Sequence, residues 1–193
     1  MDLPLLSAGV APERADAARN RRKVLAAAEE LFTARGLAAV TMDDIAAAAG
    51  VGKGTLYRRF GDKSGLAAAL LDERERELQA GFLDGPPPLG PGAPAQDRLA
   101  AFAVAYLNYV LQQLDLVAMS QTASPGARLR TGAHRLWRAH CRHLLAEAGA
   151  PDPDLRADVL LAGLSAEQVR QWVEEARPDL TTALERLARD LAR

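Results

Sequence analysis

Thr41-Met42-Asp43-Asp44-Ile45-Ala46-Ala47-Ala48-Ala49-Gly50-Val51-Gly52-Lys53-Gly54-Thr55-Leu56-Tyr57-Arg58-Arg59-Phe60 is the stretch that decides the fold. Thr41 stands three residues before Asp44, a variant of the capping box, so a short helix opens at Met42 with Ile45 and Ala49 on its inner face. Gly50-Val51-Gly52 interrupts it, and a second short helix runs from Lys53 to Phe60 before Gly61-Asp62 closes it. Two helices of this length joined by a glycine turn have the form of a helix-turn-helix, whose second helix lies in the DNA major groove. At about 100° per residue, Leu56, Phe60, Lys53 and Tyr57 share one side of that second helix, while Gly54, Arg58, Thr55 and Arg59 share the other. The first side packs inward, with Tyr57 at its flank. The second is small, hydroxylic and cationic, which suits phosphate and guanine but equally suits a solvated surface helix.

Upstream, Val24, Leu25, Ala28, Leu31 and Phe32 form an apolar stripe on a helix over about residues 17–35, which Gly36 terminates. Downstream, Lys63 or Ser64 opens a fourth helix carrying Leu66, Leu70 and Leu71, which runs through the mixed charges of 72–77 to about Phe82. Pro86, Pro87, Pro88, Pro91 and Pro94 then fall with Gly85, Gly90 and Gly92 in a run that no regular helix absorbs. The organisation read from this is a flexible arm over 1–18, a helix-turn-helix domain over 19–65, a connecting helix over 66–83, a Pro/Gly-rich loop over 84–95 and a C-terminal domain over 96–193.

The whole chain of 193 residues reads as all-α. Its 40 Ala and 30 Leu stand against 10 Val and the single Ile45, so good helix formers far outnumber β-branched aliphatics. The C-terminal segments are helices over about 96–113, 115–122, 127–148, 153–176 with a kink at Gly163, and 178–192, making about nine helices in all. Charge is uneven: residues 19–63 hold nine Lys and Arg against five acids, while 97–193 hold twelve of each. A basic front end on a neutral body points weakly to a polyanion partner. The lone Cys141 precludes an intramolecular disulfide and fits a reducing compartment. With no basic, apolar leader at Met1 and no run long enough to span a bilayer, the expected location is the cytoplasm, with no membrane partner.

The quoted run, with Ala27-Ala28-Glu29-Glu30-Leu31-Phe32 and Gly36 before it and Lys63 after it, resembles the N-terminal domain of the TetR family of bacterial transcriptional regulators, usually repressors. The resemblance covers about residues 20–71. It implies that Thr41, Thr55, Tyr57 and Lys63 hold the phosphate backbone, that Arg59 often does, and that Lys53, Gly54 and Arg58 face base edges. Asp43 occupies a place where some members carry a basic DNA contact, and Ser64-Gly65 replaces a frequent acidic start to the fourth helix. The resemblance further implies a helical body that dimerises and often encloses a ligand, whose occupancy shifts the fourth helix as a lever.

Two apolar stripes fit such an interface: Val159, Ala162, Ala166, Val169 and Val173 (with Trp172), then Leu180, Leu184, Leu187 and Leu191. Packing into their own core is the equal alternative. A ligand pocket is expected among Phe102, Tyr106, Tyr109, Met119, His134, Trp137, Cys141 and Trp172, with plain core again the alternative. Scarce charge on these faces favours a small, mainly apolar or aromatic effector. The basic row Arg128, Arg130, Arg135, Arg138 and Arg142 reads as a solvated face, from which a few side chains are available to an acidic effector.

His140, Cys141 and His143 do not converge on a helix, so no metal and no cofactor is expected. No nucleophile–base set is visible, which argues against a helical enzyme built on His134, His140, His143 or Cys141. The expected function is therefore a homodimeric repressor that binds a palindromic operator in double-stranded DNA and is released by a small effector. The alternative is a DNA-binding dimer with no small-molecule effector, regulated by its abundance or by a protein partner.

Overall fold

The structure, a computed structural model, describes residues 15–122 and 126–193. The arm expected over 1–18 lies outside the described residues as far as residue 14; Ala15 is already helical. The described residues form eleven helical segments and no strand: α1 (Ala15–Arg35), α2 (Met42–Ala49), α3 (Lys53–Phe60), α4 (Lys63–Asp84), α5 (Ala95–Gln112), α6 (Leu114–Thr122), α7 (Ala127–Arg130), α8 (Gly132–Glu147), α9 (Pro153–Gly163), α10 (Ala166–Glu174) and α11 (Leu180–Leu191). Two long predicted helices are each divided. Thr131 breaks the run at 127–148 by capping α8, its hydroxyl accepting from the His134 N–H at 3.1 Å. Ser165 restarts the run at 153–176 by capping α10 through the Gln168 N–H at 3.3 Å, so the expected kink at Gly163 is a full helix break.

The chain divides into two compact units that meet at Lys63/Ser64. In the first, Val24, Ala28, Ile45, Leu56 and Phe60 are buried at positions that the helical period assigns to the inner faces of α1, α2 and α3, joined by Val40 from the α1–α2 connection and by Ala46, while Ala49, also expected inward, is half-buried. Leu25, Leu31 and Phe32 complete the α1 stripe half-buried.

The second unit is organised on α5. Leu99, Phe102, Ala103, Tyr106, Leu107 and Val110 are all fully buried along it, and α8, α10 and α11 pack around it, with α9 laid against α8. Phe82 of α4 joins this core edge-to-face with Phe102 at 5.5 Å, and Tyr106 meets Trp137 at 4.8 Å with the rings 69° apart. On the outside, Arg138 bonds Asp158 at 2.6 Å and Asp154 at 3.0 Å, and Arg142 bonds Asp154 at 2.9 Å, lacing α8 to α9. These two arginines of the row read as a solvated face, Arg138 half-buried and Arg142 exposed, are thus paired with carboxylates of their own chain.

Candidate nucleic-acid interface and effector cavity

The helix-turn-helix is set by its caps. The Thr41 hydroxyl accepts from the Asp44 N–H at 3.1 Å, while the Asp44 carboxylate accepts from the Thr41 N–H at 2.9 Å and from its hydroxyl at 2.8 Å. These bonds hold the Asp44 carboxyl below the usual carboxylate range, the Thr41 backbone bond first among them. Gly50 ends α2 with φ +64°, a left-handed conformation that favours glycine, and Val51 donates back to Ala46 at 3.0 Å. The turn then delivers α3, whose N-cap Gly52 has no side chain to occupy the first-turn N–H groups.

On α3, Leu56 and Phe60 are buried, and Lys53, Gly54, Thr55, Tyr57, Arg58 and Arg59 are exposed. Tyr57 is 47% exposed, so its ring stands further out than the inward side on which the helical map placed it. A Cβ at Gly54 meets nothing within 4 Å, so this position adds no bulk where a duplex approaches. Lys53 is also exposed rather than inward, and its Nζ pairs with Asp43 Oδ2 at 2.5 Å. Asp43 therefore pairs with a cation on this surface.

Two expected phosphate contacts have other employment. Lys63 Nζ donates to the carbonyls of Leu37 at 2.6 Å and Val40 at 2.8 Å, half-buried, so it ties the α1–α2 connection to the start of α4. Two of its three donors are thereby occupied within the protein, leaving one for the expected contact with the DNA backbone. The Thr41 hydroxyl proton is likewise directed to Asp44, making Thr41 first a cap.

In the second unit, four of the eight predicted pocket residues come together. Tyr106, Tyr109, His134 and Trp137 line a cavity of about 20 Å³ with Leu71, Glu75, Val117, Ser120, Gln121 and Thr131. Phe102 and Cys141 do not line it: both are fully buried, Phe102 against Phe82 and Tyr106. Met119 and Trp172 are half-buried elsewhere in the body. The residue that sequence reasoning missed is Glu75, which sits among the charges of 72–77. Its signal was positional: Leu71, Glu75, Leu78 and Phe82 fall on one helical stripe. Glu75 Oε1 accepts from the Tyr109 hydroxyl at 3.2 Å. Burial pushes the Glu75 carboxyl up, against the pull of that hydrogen bond, and nearby Asp72 adds to the rise. Trp137 is 4% exposed, and its Nε1–H has no acceptor among the described residues.

The predicted interface residues separate into two groups. Ala166, Val169 and Leu184 are buried in their own unit's core, which removes them from an interface, because the inward half of each stripe is what holds α10 and α11 in place. Val159, Ala162, Val173 and Leu187 are exposed, and Leu180 and Leu191 half-buried. Leu155, 62% exposed, extends the outer row of α9 by one turn and was missed because only the inner period was followed. The histidines do not gather: His140 is buried and His143 exposed, and among the described residues no three His, Cys, Asp or Glu side chains group to hold a metal. Nor is any helix among them long and apolar enough to cross a membrane.

The chain thus presents a tri-helical unit with a capped helix-turn-helix, followed by a second helical unit. Residues 24–70 match the family described as bacterial regulatory proteins, tetR family. The transcriptional repressor BepR of Brucella suis is 40% identical over 81 residues, 39% of this chain and 39% of that protein. The regulator SrpR of Pseudomonas putida is 38% identical over 76 residues, 39% of this chain and 34% of that one, so the match to such relatives spans well under half of their length. The likeness in fold extends further: a TetR transcriptional regulator from Rhodococcus sp. RHA1 superimposes with a TM-score of 0.59 at 26% identity, over 92% of this chain and 97% of the other. Residues 24–70 thus carry the likeness to this family in sequence, and the fold of the chain is similar to that of a solved TetR-family regulator.

Proposed function

We propose that this protein is a homodimeric transcriptional regulator, a repressor acting in the cytoplasm, that reads a palindromic operator through α3 and is released when a small molecule occupies its helical body. The single observation that carries the DNA reading is the exposed Gly54, Thr55, Arg58 and Arg59 face of α3, backed by buried Leu56 and Phe60. Arg58 addresses base edges, Thr55 and Arg59 the backbone, and Tyr57 sets its hydroxyl towards a phosphate from the flank. The exposed apolar rows of α9 and α11, with Val173, supply the two-fold surface, which spaces two reading helices one DNA turn apart, about 34–36 Å. BepR is a repressor by name, which supports that direction of control.

The test is selection of genomic DNA fragments by the purified protein at stated salt, followed by footprinting. A palindromic footprint is the expected result; no enrichment over random DNA overturns the reading. One observation favours a second reading, a DNA-binding dimer without a small-molecule effector: a cavity of about 20 Å³ admits about one water in the conformation described. Release of the selected fragment by an added compound separates the two.

A further inference from the structure

We infer that the cavity beneath α6 takes an organic cation, an ammonium or amidinium group on an aromatic frame, with its charge against the Glu75 carboxylate and its frame against Tyr106, Tyr109 and Trp137. This assignment deepens the effector-controlled reading and rests on it. Among the described residues the lining contains one carboxylate, Glu75, and no Lys or Arg, with His134 and the two tyrosines as its other titratable side chains. The cleft beside it is lined by Glu167 and by Arg170, whose guanidinium is bonded to Asp115 at 2.8 Å, and Arg138 and Arg142 on α8 are bonded to Asp154 and Asp158. In the small cavity an anionic effector therefore meets an acid, and the Arg170 guanidinium of the cleft is already paired with Asp115. A cation instead gains a partly desolvated carboxylate and the faces of three electron-rich rings, the two features that select ammonium groups in apolar sites. Burial already disfavours the charged form of Glu75, and a bound cation relieves that cost. The unsatisfied Nε1–H of Trp137 adds a place for a hydroxyl, ether or carbonyl oxygen on the same ligand.

Room for such a molecule lies next door. A cleft of about 620 Å³ runs between α6, α7, α9 and α10, and Gln121 lines both it and the small cavity. Gln121 Oε1 accepts from the Ala166 N–H at 3.0 Å. Gln121 is the residue the two spaces share, and the inferred site needs its side chain to give up that hydrogen bond and turn aside, the cleft itself having a volume in the range of small-molecule sites.

The test uses three probes on one frame, titrated calorimetrically into the full chain: 1-naphthylmethylammonium, 1-naphthalenemethanol and 1-naphthoate. The ammonium is expected to bind at least about tenfold more tightly than the alcohol, and the carboxylate more weakly than both. Glu75→Gln keeps an acceptor for Tyr109 and is expected to bring the ammonium down to the alcohol's affinity while leaving the alcohol unchanged. Tyr109→Phe, the second variant, retains the carboxylate and is expected to preserve the preference for the ammonium. Equal affinities for the three probes, the tightest binding by the carboxylate, no binding by any, or a preference for the ammonium that survives Glu75→Gln, each overturns the assignment. Because these titrations need no DNA, their failure leaves the regulator reading standing, and failure of the footprint leaves the titrations intact.

Discussion

Arg58 concentrates the recognition argument in one side chain. It is exposed on α3, and among the described residues no acid of the protein is paired with it, whereas Lys53 beside it is already held by Asp43. Arg58→Ala is expected to cost about 1–3 kcal/mol on the selected operator and to relax one base position, measured by binding to operator variants; equal losses on random DNA would show a phosphate role instead. His140 is one residue through which pH reaches stability. Stacked on Phe82 at 4.2 Å and edge-on to Phe102 at 5.2 Å, it is pushed down to about 4 by burial, with Arg98 and His143 adding to the fall. The folded chain thus binds its proton less readily than the unfolded chain, whose histidine titrates near 6.5. Stability is full above about pH 6.5 and declines as pH falls towards 4, by about 2 kcal/mol at pH 5. Urea unfolding at pH 7.5 and pH 5 measures this, and His140→Phe should flatten the difference. Neither Glu75 nor His140 was legible as special in the sequence: one was hidden in a charged run, and the other acquires its character only from rings contributed by α4 and α5.

At the scale of elements, the caps are what the sequence spells most clearly. Thr41 with Asp44, Gly50 and Gly61 mark the ends of α2 and α3 as they stand, because a cap depends on residues a turn apart. Ser165 and Thr131 act by the same rule, but Thr131 stands within a run that reads as one helix, and Ser165 so near Gly163 that a kink looked sufficient. Lys63 is different, since its partners lie 23 and 26 residues back and no local pattern announces them. Its ammonium bridges the carbonyls of Leu37 and Val40, and Lys63→Met leaves both without that donor. The variant is expected to lose about 2 kcal/mol in the helix-turn-helix unit, read by amide hydrogen exchange in α2 and α3. If protection there is unchanged while DNA affinity and its salt dependence fall, Lys63 belongs to the phosphate contacts after all.

The molecule as a whole turns on which apolar residues face inward. A heptad-like stripe names the apolar positions of α9, α10 and α11 but not which of two neighbours receives them, so the sequence lumped Leu184 with Leu187. Leu184 is 4% exposed in the core, and Leu187 51% exposed. Val159→Glu combined with Leu187→Glu is therefore expected to yield folded monomers on sizing, whereas Leu184→Glu should unfold the body by placing a charge in its core. A persistent dimer in the double variant would place the two-fold surface elsewhere. The chain's only cysteine adds an instrument for following that body. Cys141 is fully buried, and its thiol is pushed well up by burial. A maleimide reaches it only when the helices around α8 part, so the pace of alkylation is a clock for their opening, in a chain with no other thiol to remove beforehand. A compound that settles between α5 and α8 should slow that clock, which makes labelling a screen for effectors that requires neither an operator nor a reporter gene.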